Sequence, residues 1–266
     1  MTSGSTPPVP GHLRTYVASA YGGALSNTLH KEGVTCQVCA APVDGYPRCS
    51  VCQRRASTLG LADIVGSVIY AVSGQQSHYL MRSYKGSPAV QESRVVVFLL
   101  AWLALSDHGG CLERLTGHAV THWSSVPSLP AKAGEHPLHA LVASIAPGQE
   151  LPLDAASYVA PGCARAVNAA HYRAAATVLA GSHVLIIDDT WAGGGHAQSS
   201  ALAVRAAGAG AVSILNVARF LQTSWVPTAA FLREHPRRDF DPATCPWTGG
   251  ACPRSLSAPL ASPEAG

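Results

Sequence analysis

The sequence predicts an α/β protein in which a small metal-binding module precedes a parallel sheet carrying helices. Two observations predict it. Residues 183–217 run through an apolar strand, a glycine-rich turn, a helix without breakers, a Gly-Ala-Gly stop and a second apolar strand. That order is a βαβ unit, which needs parallel strands and a right-handed crossover. Upstream, Cys36, Cys39, Cys49 and Cys52 repeat a C-x2-C spacing across a nine-residue gap. At 266 residues the chain is long enough for one or two domains and a sizeable core.

Composition narrows the function classes. Charged residues make up 12% of the chain, against roughly 25% in an ordinary soluble domain. The formal net charge is +3 and the hydrophobic fraction 47%. These values exclude a highly charged disordered chain and argue against a strongly basic surface for nucleic acid. Where charge is this scarce, each clustered charge is informative. The longest apolar run, residues 95–105, is far shorter than the ~20 residues of a membrane span and reads as a buried helix. The opening MTSGSTPPVPG has no basic region followed by an apolar stretch. No signal peptide, no membrane partner and a cytoplasmic location are therefore expected.

Four regions are expected in chain order. Residues 1–30 form a disordered or partly ordered lead, 31–58 the metal module, 59–225 the main α/β domain and 226–266 a proline-rich tail. Within the main domain, β-branched residues predict a strand at 63–72, followed by helices at 75–84 and 92–107. Alternation with a period near two predicts a strand at 118–126, then a loop to 135 and a helix at 137–145. An irregular stretch runs to about 162 before the βαβ unit, which comprises a strand at 183–187, a helix at 197–207 and a strand at 211–217. Both of these strands are uninterrupted apolar runs, as strands covered on both faces are.

Tetrahedral Zn²⁺ takes four thiolates, and a two-residue gap lets one knuckle present two sulfurs on one side. Gly45 and Pro47 between the knuckles let the chain reverse so that the second pair faces the first. A closed four-thiolate site stabilises a module and does not catalyse. Cys245 and Cys252, in CPWTGGAC, supply only two ligands, and a self-staple, a metal pair and ordinary thiols all stay open. Cys111 and Cys163 have no spacing signal and read as packed or idle thiols.

Asp188-Asp189 is the one adjacent carboxylate pair in the chain, at the end of the first βαβ strand. Open α/β sheets place ligand sites at that end of their strands. Thr190-Trp191-Ala192-Gly193-Gly194-Gly195-His196 follows and leads into the helix. Successive N–H groups at such a turn make an anion site of phosphate size. Carboxylates accept hydrogen bonds from adjacent hydroxyls, or hold Mg²⁺ through water. Together these features suggest a sugar phosphate, with its diol on the acids and its phosphate in the turn. The plainer alternative is a strand-ending Asp before an ordinary glycine turn. There is no GKS/T and no GxGxxG, so neither a P-loop nor a Rossmann fingerprint is present.

VLIIDDTWAGGGHAQS resembles the phosphoribosyl-pyrophosphate motif of type I phosphoribosyltransferases. The four-cysteine module in front of it resembles the ComF-like (competence-associated, amidophosphoribosyltransferase-like) branch. Tyr84-Lys85, Val126-Pro127-Ser128 with Lys132, and Arg165-x-x-Asn168 resemble further elements of that branch, so the likeness extends over most of residues 30–222. The resemblance implies a parallel-sheet type I phosphoribosyltransferase fold with a zinc-ribbon-like module. It also implies Mg²⁺-assisted transfer of a phosphoribosyl group from phosphoribosyl pyrophosphate to a nitrogen nucleophile. Asp188 and Asp189 would then hold the ribose diol, and the amides of Ala192, Gly193, Gly194, Gly195 and His196 the 5′-phosphate. Lys132 and Arg165 would help neutralise the departing pyrophosphate. The family loop reads Thr-Thr-Gly-x-Thr, so three side-chain hydroxyls are absent here. Main-chain amides remain, and a protonated His196 would add a charge-assisted contact. A second implied reading is a ComF-like binding protein without turnover, serving nucleic-acid uptake or regulation through its zinc module, to which Arg54-Arg55 lend some positive charge.

Overall fold

Residues 6–254 are described by a computed structural model. The chain enters with helix α1 (Gly11–Tyr21) and, after the cysteine module with its short helix α2 (Ser50–Arg54), forms strand β1 (Ile64–Val72). Helices α3 (Gln76–Ser83) and α4 (Gln91–Thr116) cross to strand β2 (Val120–Ser125). Helix α5 (Pro137–Val142) and the short strands β3 (Gln149–Glu150), β4 (Leu153–Ala155) and β5 (Tyr172–Ala174) follow. The expected βαβ unit is strand β6 (His183–Trp191), helix α6 (Gly195–Ala206) and strand β7 (Ala211–Leu221), and helix α7 (Val226–Glu234) comes last.

Five strands form one sheet in the order β1-β7-β6-β2-β3, with every neighbouring pair parallel. β4 and β5 pair separately and antiparallel. The protein is thus α/β with a five-stranded parallel sheet. Its central strands alternate between two apolar layers, as the two-residue pleat requires. Leu185, Ile187, Leu215 and Val217 face a layer built with α4, whereas Val184, Ile186, Val212 and Ile214 pack with α6 and the four module cysteines. The chain steps outward from β2 to β3, then back past β2 to β6 and β7. In open α/β sheets such a reversal marks where ligand sites fall, here at the carboxyl ends of β2 and β6.

Two expectations change and one is made more specific. Within the lead expected to be disordered or partly ordered, α1 packs on α4 through buried Val17 and Tyr21, with Arg14 paired to Asp107 and Tyr21 hydrogen-bonded to Glu92. The stretch from 226 carries α7 and then a strap that buries Phe240, Cys245 and Trp247; the expected tail beyond 254 falls outside the described residues. Finally, α4 continues past Asp107 through Gly109 and Gly110, because His108, Cys111 and Leu112 still face the core. By length and composition α4 is apolar enough to cross a membrane, with a stretch of 18 residues at a mean hydropathy of 1.7, which the 95–105 run alone did not indicate. Its Val96, Leu100, Leu103 and Leu112 are buried in the core layer.

Candidate functional site

β6 runs four residues beyond its apolar run because β7 keeps pairing with it, Asp188 opposite Asn216 and Trp191 opposite Arg219. The acid pair therefore sits in the last turn of pleat rather than in the loop. The pleat turns the two carboxylates to opposite sides. On the α3 side, Asp189 Oδ2 accepts a hydrogen bond from the Tyr84 hydroxyl at 2.6 Å and an ion pair from Lys85. Asp188 Oδ1 folds back onto the N–H of Asp189 at 2.8 Å. One oxygen of each carboxylate, Asp189 Oδ1 and Asp188 Oδ2, keeps no protein partner among the described residues.

The electrostatics of the pair are unequal. Burial, and then the charge of Asp189, push the Asp188 carboxyl up to about 8. Burial alone would raise Asp189 too, but the charge of Lys85 and hydrogen bonds from Lys85 and Tyr84 outweigh it and hold that carboxyl below its ordinary value. Tyr84 is fully buried, and burial together with the Asp189 charge raises its hydroxyl so that it stays a donor.

The glycine turn is shaped from behind. Arg219, on β7, donates to the carbonyls of Trp191 at 2.8 Å and Ala192 at 3.0 Å. Arg55, beside the cysteine cluster, donates to the Gly193 carbonyl at 2.5 Å. With these carbonyls engaged by arginines, the uncapped start of α6 leaves its first N–H groups without helical acceptors. Gly194 has φ +71, and a Cβ there would fall inside the Trp191 ring; a Cβ on Gly195 would meet the Arg165 carbonyl. Gly194→Ala is thus expected to cost about 1–3 kcal/mol from positive φ and overpacking. Gly193→Ala meets nothing within 4 Å and should change stability by less than about 0.5 kcal/mol. Chemical denaturation of both variants checks this, and equal losses would refute the assigned roles.

The remaining site candidates surround this turn to different degrees. The Arg165–Asn168 segment packs on the start of α6, with the Asn168 N–H on Ser199 Oγ at 2.9 Å, while the Arg165 side chain is exposed. Lys132 is exposed on the loop after β2, where its charge, with that of Lys85, lowers the His136 imidazole after the larger effect of burial. His196 departs from expectation. Burial lowers its imidazole, so it is neutral at neutral pH, and its Nε2 is enclosed without a partner among the described residues. It adds no positive charge to the turn.

Arg219, Arg55 and His136 were not singled out as site residues from the sequence. An arginine inside the otherwise apolar run VARFL was the available signal for the first. His136 caps α5 by accepting from the Leu138 N–H at 3.2 Å. A cleft of about 790 Å³ behind the turn is lined by Cys52, Arg55, Trp191 and Gln198, and does not include the acid pair.

Cys36, Cys39, Cys49 and Cys52 bring their sulfurs within 4.8 Å of one another. Cys39 lies 3.8 Å from Cys49 and 3.6 Å from Cys52, sulfur to sulfur. Four thiolates on a tetrahedral ion at ~2.3 Å would be spaced by about 3.8 Å, so the cluster could hold a metal ion such as zinc. All four are free cysteines. The first knuckle closes through the Ala40 N–H on the Cys36 carbonyl at 2.9 Å, and the second is the first turn of α2.

No protein-family model and no curated protein matches this chain.

Proposed function

We propose that the protein is a ComF-like type I phosphoribosyltransferase, which binds phosphoribosyl pyrophosphate with Mg²⁺ and transfers the phosphoribosyl group to a nitrogen nucleophile, releasing pyrophosphate. The observation that carries this reading is that the carboxyl end of β6 presents two carboxylates, one on each side of the pleat and each with one free oxygen, next to a turn whose carbonyls are held by arginines. Each free carboxylate oxygen can accept a hydroxyl of the sugar, and the open amides beside them suit a phosphate. The oxygen donors of Asp188 and Asp189 also fit Mg²⁺ held through water, and a dication so held would offset charge on pyrophosphate.

In this reading the chain's own residues orient the sugar and stabilise charge. Asp188 and Asp189 fix the ribose and sit beneath the positive charge that develops on its ring as the C1–oxygen bond breaks. Lys85, half-exposed beside Asp189, and Lys132 on the loop after β2 supply cations for the departing pyrophosphate. Tyr84 holds Asp189 in one orientation from within the core.

Phosphoribosyl pyrophosphate with Mg²⁺ is expected to raise the melting temperature by mass action, and candidate amines to release pyrophosphate. No shift at millimolar ligand would refute the reading. Its pH dependence is set by Asp188, which must lose a proton to offer its free Oδ2 to a sugar hydroxyl as a carboxylate. From its raised value near 8, affinity should weaken about tenfold per pH unit below that point and level off above it. Titration calorimetry in two buffers of different ionisation enthalpy should then register proton release near pH 7, and a pH-independent affinity between 6 and 8 would contradict the assignment.

One observation favours a silent binder instead. The turn offers the phosphate no hydroxyl side chain, and His196 is neutral. A ligand-induced shift without pyrophosphate release from any amine would support that second reading, and salt-dependent DNA binding would extend it to nucleic acid.

A further inference from the structure

The C-terminal strap returns across α1, β1 and α4, and each step of its path is anchored. The Phe240 N–H reaches the Gly22 carbonyl at 3.1 Å, and Asn27 and Asp241 exchange hydrogen bonds at 3.0 and 2.8 Å. The CPWTGGAC segment then closes on itself, with the Cys245 N–H on the Gly250 carbonyl and the Gly249 N–H on the Cys245 carbonyl, both at 2.8 Å. Gly249 needs its φ of +69 there, and a Cβ would lie 2.6 Å from His30. Trp247 covers Gly66 of β1 so closely that a Cβ on that glycine would lie 2.7 Å from the indole.

This path carries Cys245 and Cys252 to the face of α4 where His108 and Cys111 stand one helical turn apart. The donor atoms of His108, Cys111, Cys245 and Cys252 all lie within 4.8 Å of one another. His108, Cys111 and Cys245 are buried. The imidazole is set up for coordination. Its Nε2 lies 2.9 Å from the Pro242 carbonyl, which only accepts, so the ring proton sits on Nε2. The Nδ1 lone pair then faces the sulfurs, 3.2 Å from Cys252 Sγ. A backbone carbonyl fixing the far nitrogen of a ligand histidine is the usual support of a metal site. Three thiolates and one dication leave a net negative charge, and Arg114 answers it with a hydrogen bond to Cys111 Sγ at 3.0 Å. None of the four side chains enters the reading of the acid pair and glycine turn.

We propose that His108, Cys111, Cys245 and Cys252 form a second, structural zinc site, which clips the C-terminal strap onto α4 and the edge of the sheet at β1. Three soft sulfurs and one imidazole in a closed tetrahedral set select Zn²⁺ over Mg²⁺ or Ca²⁺. Occupied this way, the site leaves no open position for a reacting water.

Elemental analysis of the full chain, purified without chelator and loaded with zinc alone, tests this. Two zinc ions per chain are expected, falling by one in the Cys245→Ser/Cys252→Ser variant, and the strap should become sensitive to limited proteolysis in that variant. Unchanged zinc content in the variant would overturn the proposal. Alkylation of the denatured wild type under non-reducing conditions gives an independent reading. Eight alkylated thiols after zinc removal support the site, and a Cys245–Cys252 disulfide overturns it. Should the variant fail to fold, X-ray absorption of the wild type still decides, because one nitrogen among the zinc ligands is expected and sulfur alone would refute it.

Discussion

Cys39→Ser is expected to lower the melting temperature by ~10 °C or more while leaving the C-terminal cluster loaded. The substitution preserves side-chain size, so most of the loss comes from metal ligation. Zinc ligation contributes an apparent ~10–16 kcal/mol in isolated zinc-finger peptides. Even a loss of about 4 kcal/mol here translates to ~8–16 °C in a chain of this size. Cys39 is buried in the same apolar layer as Trp191, Ala197 and Val204, so the damage reaches the sheet. It also reaches the glycine turn, because Arg55 leaves the module to hold the Gly193 carbonyl. Thermal unfolding and tryptophan fluorescence measure both effects. An unchanged melting temperature in a metal-depleted variant would show that the module folds without metal. A general chelator would strip both clusters, so the single substitution is the cleaner measurement.

Asp188→Asn and Asp189→Asn are expected to move stability in opposite directions while both abolish the stabilisation by phosphoribosyl pyrophosphate. In the folded chain Asp188 holds its proton to about pH 8, whereas in the unfolded chain it ionises near pH 4. The unfolded state therefore gains as pH rises between those values, and this group makes wild-type stability fall across the window. Asn removes the effect and still accepts the Asp189 N–H through Oδ1, so Asp188→Asn should stabilise the free protein at pH 8, by on the order of 2 kcal/mol. Asp189 behaves in reverse. Its carboxylate is held below its ordinary value by Lys85 and Tyr84, so its contribution is present at neutral pH and is lost in acid. Asp189→Asn strands both partners and should cost about 1–3 kcal/mol, toward the lower end because Lys85 is half in water. Denaturant titrations at pH 5 and pH 8 separate the two variants. Losses of the same sign at pH 8 would contradict the assigned charge states.

Much of the fold was legible because it is written in short-range patterns. Strands β1, β2, β6 and β7 and helices α3, α5 and α6 match runs whose periodicity shows within ten or so residues. Departures came where a neighbour decided the outcome. β6 runs on to Trp191 because β7 pairs with it that far, and α4 passes two glycines because its next turn is buried. The lead folded as α1 because α4 offers it Asp107 and Glu92, partners more than seventy residues away. In the site, the acid pair and glycine turn could be found by eye. That the pleat would separate the carboxylates, and that burial would keep His196 neutral, could not.

The sequence by itself determined the features whose partners lie close along the chain, namely the four-cysteine module, the βαβ unit and the position of the acids at the end of an apolar strand. Only the tertiary structure decided which distant groups meet them. It set Tyr84 and Lys85 on Asp189 and drew Arg219 and Arg55 behind the turn. It also carried Cys252 to His108 across 144 residues. The physical reason is range. Pleat, helical turn and knuckle spacing are imposed by backbone geometry over a few residues. The meeting of distant segments depends on how whole apolar faces pack, and no local pattern records that.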